Sequence, residues 1–565
     1  MMNENQPIGY VVGGGLQENL RVRLTVASQE IQEGAFVTIR SGDWQFYGLV
    51  VDLQLGATDP RFADEQSETR LPAGLASALH GQTLYTNLEV LPVLMLERGP
   101  ELDSTDYSDW VQKMGDQLPQ VRPVKTVPRH HAEVRLADQG DIAEIFGDPG
   151  QKDNFVIGFT REQNHPVCVD LKKLTQRSSG VFGATGTGKS FLTRVVLAGL
   201  INKSIASVLV YDMHNEYGYD DSSSDTGKRV VGLKTLFGSK VQVVGLGGGT
   251  LIRTDTPDFT LEITMRDLVP ADVELLTNEL NLRETTPTTL HALQISFGRD
   301  WFQRFKELNQ EQVEVIDEND KARKVPHPES VAAWAEANGV NIMAAEGLHN
   351  KLRRLFDKPY IVEKPASDAI SEIIRHLEAG KHIVLSFGNF ESDLDYLLVS
   401  NLLTRKIRER WEKTTNDFRK GQNPPRQLVV VIEEAHKLLN REMAGQTTFA
   451  TIAREMRKYY VTLLIIDQRP SQIHDEVMSQ LGTRISGWLG DEDDIHAVLS
   501  GLAGRESLRG MLAHLQQREE VLLLGWGMPM PLPVRSRRYD DQFWKDMRGS
   551  PDRAKEERSE RDLGY

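Results

Sequence analysis

The chain has 565 residues, 39% of them hydrophobic, and carries 66 Lys and Arg against 81 Asp and Glu for a formal charge of −15. That length supports a large core and about two to four domains, and the acidic balance argues against a surface coated in positive charge for nucleic acid, though not against positive charge confined to a channel. The single cysteine, Cys168, excludes an intrachain disulfide framework and suits a reducing compartment; MMNENQPIGY has no apolar signal core and no apolar run approaches the ~20 residues that span a bilayer, so the sequence reads as soluble and cytoplasmic.

Residues 1–120 read as all-β. YVVGG, LRVRLTV, GAFVTIR and WQFYGLVVDL are short β-rich runs separated by Gly13–Gly15, Glu33-Gly34 and Ser41-Gly42-Asp43. Their close spacing predicts a small barrel, and no catalytic cluster stands within it. A linker over 121–149 follows, where Pro123 and Pro128, just after Pro119, oppose regular structure. The adjacent His130 and His131 read as a solvated pair, because no Cys or His partner stands at metal-ligand spacing.

Over 150–535 strands alternate with helices, which predicts an α/β domain with a mainly parallel sheet. NFVIGF, GVFGAT, SVLVYD, VQVVGL, HIVLSF, LVVVIEE, TLLIID, ISGWLG and EVLLLGW are the expected strands. LVVVI and TLLII are apolar throughout, as central strands covered on both faces must be. Between about 262 and 375 the chain turns helical and polar, predicting a helical insertion in this core. Residues 536–565 form a charged tail whose last residues read as disordered, while Phe543, Trp544 and Met547 can still pack against something.

Within the second expected strand and the helix after it, Gly183 to Ser190 fit G-x-x-x-x-G-K-[ST], a phosphate-cradling loop. Gly183, Gly186 and Gly188 let backbone N–H groups of the loop, which also holds Ala184, Thr185 and Thr187, turn inward around phosphate oxygens. Lys189 places a charge on the outer phosphates, Ser190 offers a hydroxyl to Mg²⁺, and the helix N-terminus adds its partial positive charge. These features predict ATP and Mg²⁺ as ligands. Such a site needs an acid at the end of a central strand to organise the metal and a second group to orient the attacking water. Glu433 and Glu434, at the end of LVVVIEEAHKLL, are assigned to those two roles. Glu433 is one methylene longer than the more usual Asp, so its contact with Mg²⁺ can run through water.

The P-loop, DMHNEYG at 212–218, the EEAH strand end, REMRK at 454–458 and DQRPS at 467–471 together resemble HerA-type ATPases, hexameric DNA translocases of the HerA–FtsK group. The resemblance covers roughly residues 5–540. The sequence departs from the pattern at Asn215, where Gly is expected, and at Glu433, where Asp is expected. The resemblance implies a RecA-like P-loop ATPase core, with the N-terminal barrel like the one these proteins share with ATP synthase subunits. It implies that Asp212, His214 and Glu216 lie near the γ-phosphate and that Gln468 senses it. Arg454 and Arg457, spaced i, i+3 on an expected helix, are candidates for an arginine finger reaching into a neighbouring subunit, with Arg457 favoured; Arg177 and Arg484 are weaker candidates. Fingers of this kind are worth ~10³–10⁵ in rate.

The same resemblance implies a homohexamer threaded by double-stranded DNA, with a NurA-type nuclease or another effector docked on the barrel, in DNA-end processing or antiviral defence. Arg419, Lys420 and Arg426 in DFRKGQNPPR, and Arg441 in NREMAGQ, are candidate phosphate contacts in the channel. Two other readings stand beside this one. A conjugation or secretion motor fits the same core but often carries membrane segments. An ATP-dependent scaffold fits if nucleotide controls assembly rather than movement.

Overall fold

The computed structural model describes residues 6–16, 18–58, 84–100, 104–114, 120–222, 227–316, 322–443, 447–502 and 504–548. The expected disorder of the last tail residues concerns positions outside that set.

Six antiparallel strands close into the N-terminal barrel: Gly9–Gly13, Leu20–Leu24, Leu84–Glu97, Trp44–Ala57, Phe36–Ser41 and Glu133–Leu136, the last pairing back to the first. Val11, Val22, Val37, Ile39, Phe46, Leu88, Val90 and Val134 fill its interior. Closure removes most of the strand edge that a small sheet otherwise leaves open to mispairing, and the short strand Arg122–Pro123 pairs onto Leu94 and Met95 outside the ring. The closing strand falls inside the stretch expected to be a linker. EVRL is too short to signal a strand by itself, yet Val134 pairs with both Gly9 and Ile39 and completes the ring. The helix Gln139–Phe146 follows, started by a reciprocal capping box between Asp138 and Asp141.

The second sheet has twelve strands. From one edge the order is Phe259–Leu261, Val241–Leu246, His382–Ser386, Ser207–Asp212, Leu428–Glu433, Val461–Asp467, Ser179–Phe182 and Thr483–Ser486, all parallel. Glu520–Gly525, Leu532–Ser536, Asn154–Phe159 and Pro166–Asp170 continue it antiparallel. Leu428–Glu433 and Val461–Asp467 are buried along their whole length, as central strands between two helical layers must be. Cys168 sits buried in the last strand, a packing residue whose thiol is pushed up to about 11 by burial.

The insertion leaves and rejoins the core at one place, where Ile263–Thr264 pairs in parallel with Ile361–Val362. Between them run the helices Thr286–Phe297, Trp301–Glu307, Val331–Ala337 and Ile342–Phe356, packed around Trp301, Phe302, Phe305, Leu352 and Phe356. A hairpin, Gln312–Ile316 with Ala322–Pro326, interrupts them and breaks the all-helical expectation. In the tail, Asp541–Arg548 is a helix. It buries Phe543 against Tyr539 and accepts a hydrogen bond from Asn202 to the Met547 carbonyl, tying it to the end of the helix Lys189–Lys203.

Candidate active site

Parallel pairing brings chemically unrelated segments to one edge of the sheet. Phe182 lies beside Asp467, Glu433 beside Ile466, and Asp212 beside Ser386. The chain therefore leaves the P-loop strand, the Glu433 strand, the Asp467 strand and the Asp212 strand at the same carboxyl edge, where open α/β sheets bind ligands.

The P-loop is shaped for a phosphate. Gly186 and Gly188 adopt φ of 78° and 86°, in the left-handed region that a β-carbon disfavours. Gly188 is the residue before the helix Lys189–Lys203, so the loop feeds directly into a helix N-terminus. The turn is closed internally by Thr187, whose hydroxyl donates to the Ala184 carbonyl at 2.7 Å, and anchored by the Ala184 N–H on the Trp488 carbonyl.

Acids gather beside this loop, and the charges of Glu434, Asp467, Glu433 and Glu216 act on its Lys189. Asp212 is fully buried and accepts the N–H groups of Glu216 and Tyr217 at 2.7 and 2.9 Å, which fixes the turn that follows it. Burial raises its carboxyl to about 6 against the pull of those bonds. Asn215 takes the left-handed conformation that Gly was expected to supply, at φ 55°. It does so without Gly because its side chain and the backbone of Gly388 exchange two hydrogen bonds, at 3.0 and 3.1 Å. Glu433 accepts the Tyr217 hydroxyl at 2.5 Å on one oxygen. Burial, then the charge of Asp212, lifts its carboxyl to about 8. The second oxygen of Glu433 and one oxygen of Glu216 are buried with no hydrogen-bond partner among the described residues.

Those orphan oxygens, facing a lysine and a phosphate cradle, are what a nucleotide-borne divalent cation would satisfy. Burial lowers the Lys189 ammonium from its usual range, while the charges of Glu434, Asp467, Glu433 and Glu216 favour its protonated form. Among the described residues no group of three His, Cys, Asp or Glu side chains is arranged to hold a metal alone. The residues fit Mg²⁺ held by Ser190, by Glu433 directly or through water, and by the phosphates it arrives with, which is its usual mode of binding.

Glu434 occupies the left-handed region at φ 46°, uncommon for a residue with a β-carbon. Its carboxylate accepts Gln468 Nε2 at 3.0 Å, and Gln468 Oε1 accepts the hydroxyl of Thr185. Glu434, Gln468 and the P-loop thus form one hydrogen-bonded row. His214 is exposed at the rim beside Asn215.

The candidate arginines divide by place. Arg484 is 3% exposed and donates to the carbonyls of Ser500 and Met478 at 2.7 and 2.8 Å. It clamps the fold, and its enclosure corrects the expectation that it can act in a neighbouring site. Arg177 precedes the P-loop strand and stacks 4.1 Å over Trp526, at the opposite edge of the sheet from Gly183. Arg454 ends the helix Thr448–Glu455 and pairs with Glu476 at 3.3 Å, half in solvent. Arg457 lies in the turn Met456–Tyr459, just before Val461, and is exposed. That turn is 3₁₀ rather than a continuation of the helix, so the two arginines do not share one helical face as expected. Arg457 and Arg177 both stand at the amino edge of the sheet. The strand Val461–Asp467 alone spans ~20 Å to the carboxyl edge. Neither can serve the P-loop of its own chain.

Three further groups were not singled out from the sequence. Asp467, fully buried, accepts the His436 N–H and faces His436 Nδ1 at 3.0 Å. Burial works against its charge, but the hydrogen bond and charge of His436 hold it below the usual carboxylate range; in return, His436 is raised by that bond. Tyr217 hides in the DMHNEYG motif, and only the fold shows its hydroxyl on Glu433. Arg518 donates from Nε to the Gly186 carbonyl at 2.8 Å from far along the chain. No local pattern marks it.

Of the candidate channel residues, Arg426 donates to the Ser204 carbonyl, Arg419 lies 5.9 Å from the Tyr459 ring, Lys420 stands 3.8 Å from Asp417, and Arg441 reaches Asp475 at 3.5 Å in full exposure.

Residues 155–407 match the family described as the central domain of helicase HerA. The DNA double-strand break repair helicase HerA of Sulfurisphaera tokodaii is 24% identical over 543 residues, covering 95% of this chain and 94% of the relative. The HerA of Saccharolobus solfataricus is 24% identical over 524 residues, covering 91% and 89%. Among solved structures, VirB4 of Thermoanaerobacter pseudethanolicus is similar at a TM-score of 0.41 and 16% identity, covering 69% of this chain and 97% of that one. A P-loop and two strand-end glutamates assembled at one sheet edge, a closed N-terminal barrel, and alignment along nearly the whole length make this chain similar to the HerA helicases.

Proposed function

We propose that this protein is a ring-forming, Mg²⁺-dependent ATPase that moves along double-stranded DNA. The observation that carries the reading is the row Thr185–Gln468–Glu434 beside Lys189, with Arg457 and Arg177 at the far edge of the sheet. Glu434 is placed to orient a water and take its proton, and Gln468 fixes the carboxylate that does so. Lys189 and the loop N–H groups hold the phosphates; bound Mg²⁺ would add neutralisation of the charge that grows on them. Within the chain, Arg194 is already engaged with the Glu216 carbonyl at 2.7 Å. Arg518 is likewise engaged, with the Gly186 carbonyl, and a guanidinium supplied to the transition state by a neighbour fits a homohexamer with ATP at subunit interfaces. A channel through such a ring needs few basic groups to hold duplex DNA, which suits an acidic chain. The relatives' names, break-repair helicases, support work on DNA ends. A nuclease or other effector, docked on the barrel and supplied by another chain in the cytoplasm, completes that reading. Among the described residues no helix is long and apolar enough to cross a membrane.

The test is ATP hydrolysis by the purified protein across salt concentrations, with and without linear duplex DNA. Stimulation that weakens as salt rises is the expected result. Equal rates at every salt concentration would remove the DNA motor and leave the ATPase.

A further inference from the structure

The segment His514–Glu520 connects the helix Arg505–Ala513 to the strand Glu520–Gly525 and touches two distant places. On one side Arg518 lies against the outside of the P-loop. Its Nε donates to the Gly186 carbonyl at 2.8 Å, and a β-carbon on Gly188 would meet its Cα at 3.6 Å. Arg518 itself is in the left-handed region at φ 68°, which aims its backbone into the loop. On the other side Glu520 accepts the Gln516 N–H at 2.9 Å, closing the turn, and pairs with Arg161 at 2.7 Å. Arg161 donates its other terminal nitrogen to the Glu33 carbonyl of the barrel at 2.7 Å. His514 Nδ1 stands 3.0 Å from the Glu33 carboxylate. The Arg161 and Glu520 side chains are 11% and 14% exposed, so salt screens this link far less than a surface pair. Contact here is close: a β-carbon on Gly34 would lie 2.5 Å from Pro533 and 2.8 Å from the Arg161 guanidinium.

A P-loop binds phosphate with its inward N–H groups, so its carbonyls face outward and turn when those N–H groups do. The Gly186 carbonyl is one of these, and Arg518 holds it. The turn behind Arg518 is short and closed, and ends on a shielded ion pair whose far partner grips the barrel. We propose that Arg518 is a positioning residue that follows the P-loop from behind and passes its shape through Glu520 and Arg161 to the Glu33–Gly34 turn of the barrel. Nucleotide binding and barrel docking are then linked, and the linkage is reciprocal: a partner seated on the barrel alters nucleotide affinity by the factor with which nucleotide alters the partner's. The inference rests on reading residues 183–190 as the nucleotide site.

The experiment uses the full chain with Glu434→Gln, so that bound ATP is not consumed. Hydrogen exchange at barrel amides 34–37 is followed with and without MgATP, and MgATP affinity is measured by calorimetry on the same samples. MgATP should change exchange at these amides by about fivefold or more, the lower end of typical coupling. Adding Arg518→Ala, or Glu520→Gln at the far end of the segment, should abolish that change while MgATP still binds. Arg518→Lys, which keeps the charge but has no donor at the Nε position that holds the Gly186 carbonyl, should behave like Arg518→Ala. A barrel that responds equally in these variants overturns the proposal, as does a barrel that ignores bound MgATP in the Glu434→Gln protein. Failure of that protein to bind MgATP at all overturns the nucleotide-site reading, and this proposal with it.

Discussion

Gln468 Nε2 donates to Glu434 Oε1 at 3.0 Å, and the opposite end of the same amide accepts the Thr185 hydroxyl. An amide has one donor end and one acceptor end, so this row fixes its orientation and ties the carboxylate at the end of one strand to the loop at the end of another. Gln468→Ala removes a hydrogen bond to a charged group, worth about 1.5–3 kcal/mol, and should lower kcat about 10–100-fold. The KM for ATP should change much less, because Lys189 and the loop backbone hold the phosphates. Steady-state kinetics over an ATP series separates the two constants.

Glu434→Gln keeps the shape and the hydrogen bond capacity at that position but cannot take a proton. Nucleotide binding, followed by calorimetry, should survive. Turnover should fall by about 10²–10⁴, the range that general-base catalysis supplies. Hydrolysis within a few-fold of the parent would show that another group activates the water.

Glu433 gives the site a stability that depends on pH in a definite direction. Its carboxyl sits at about 8 because burial and Asp212 disfavour its charge, whereas in the unfolded chain it titrates near 4.3. The folded protein therefore holds this proton more tightly. The stabilisation is complete below the unfolded value and is lost as pH rises through about 8. Glu433→Gln removes that loss, so its thermal midpoint relative to the parent should climb between pH 5 and pH 9 in nucleotide-free buffer. A constant difference across that window would mean that Glu433 is already ionised in the folded protein.

Arg457 and the P-loop of the same chain lie at opposite edges of the sheet, so a ring built from two kinds of inactive subunit can still contain intact interfaces. Lys189→Ala subunits carry a good Arg457, and Arg457→Ala subunits a good P-loop. Mixing them should restore part of the hydrolysis that each lacks alone. If rings assemble and no mixture recovers activity, the finger is another residue, and Arg177 and Arg454 are the next to exchange.

Local pattern made much of this protein legible. The expected strands of the core form, because long apolar runs such as LVVVI have only one way to bury both faces. The P-loop was legible because its glycines, lysine and serine must be consecutive to wrap one phosphate group. The barrel was legible as a kind of fold, but its closing strand Glu133–Leu136 was not: four alternating residues after a proline-rich stretch are too few to signal a strand, and only pairing on both sides makes them one. The hairpin inside the helical insertion escaped for a related reason. Each of its strands is only five residues long.

By itself the sequence determined which residues are chemically able to act on a phosphate and where each strand carrying them ends, because strand ends and glycine turns are properties of neighbours along the chain. The tertiary structure decided which of these meet. It put Tyr217 on Glu433 and His436 on Asp467, contacts between segments that parallel crossovers bring together, and Arg518 behind Gly186 from the connection that leads into an antiparallel strand. It also separated arginines that look alike in sequence, enclosing Arg484 among backbone carbonyls and leaving Arg457 in solvent. Burial and distance in space are set by the packing of the whole chain, and no local run of residues encodes them.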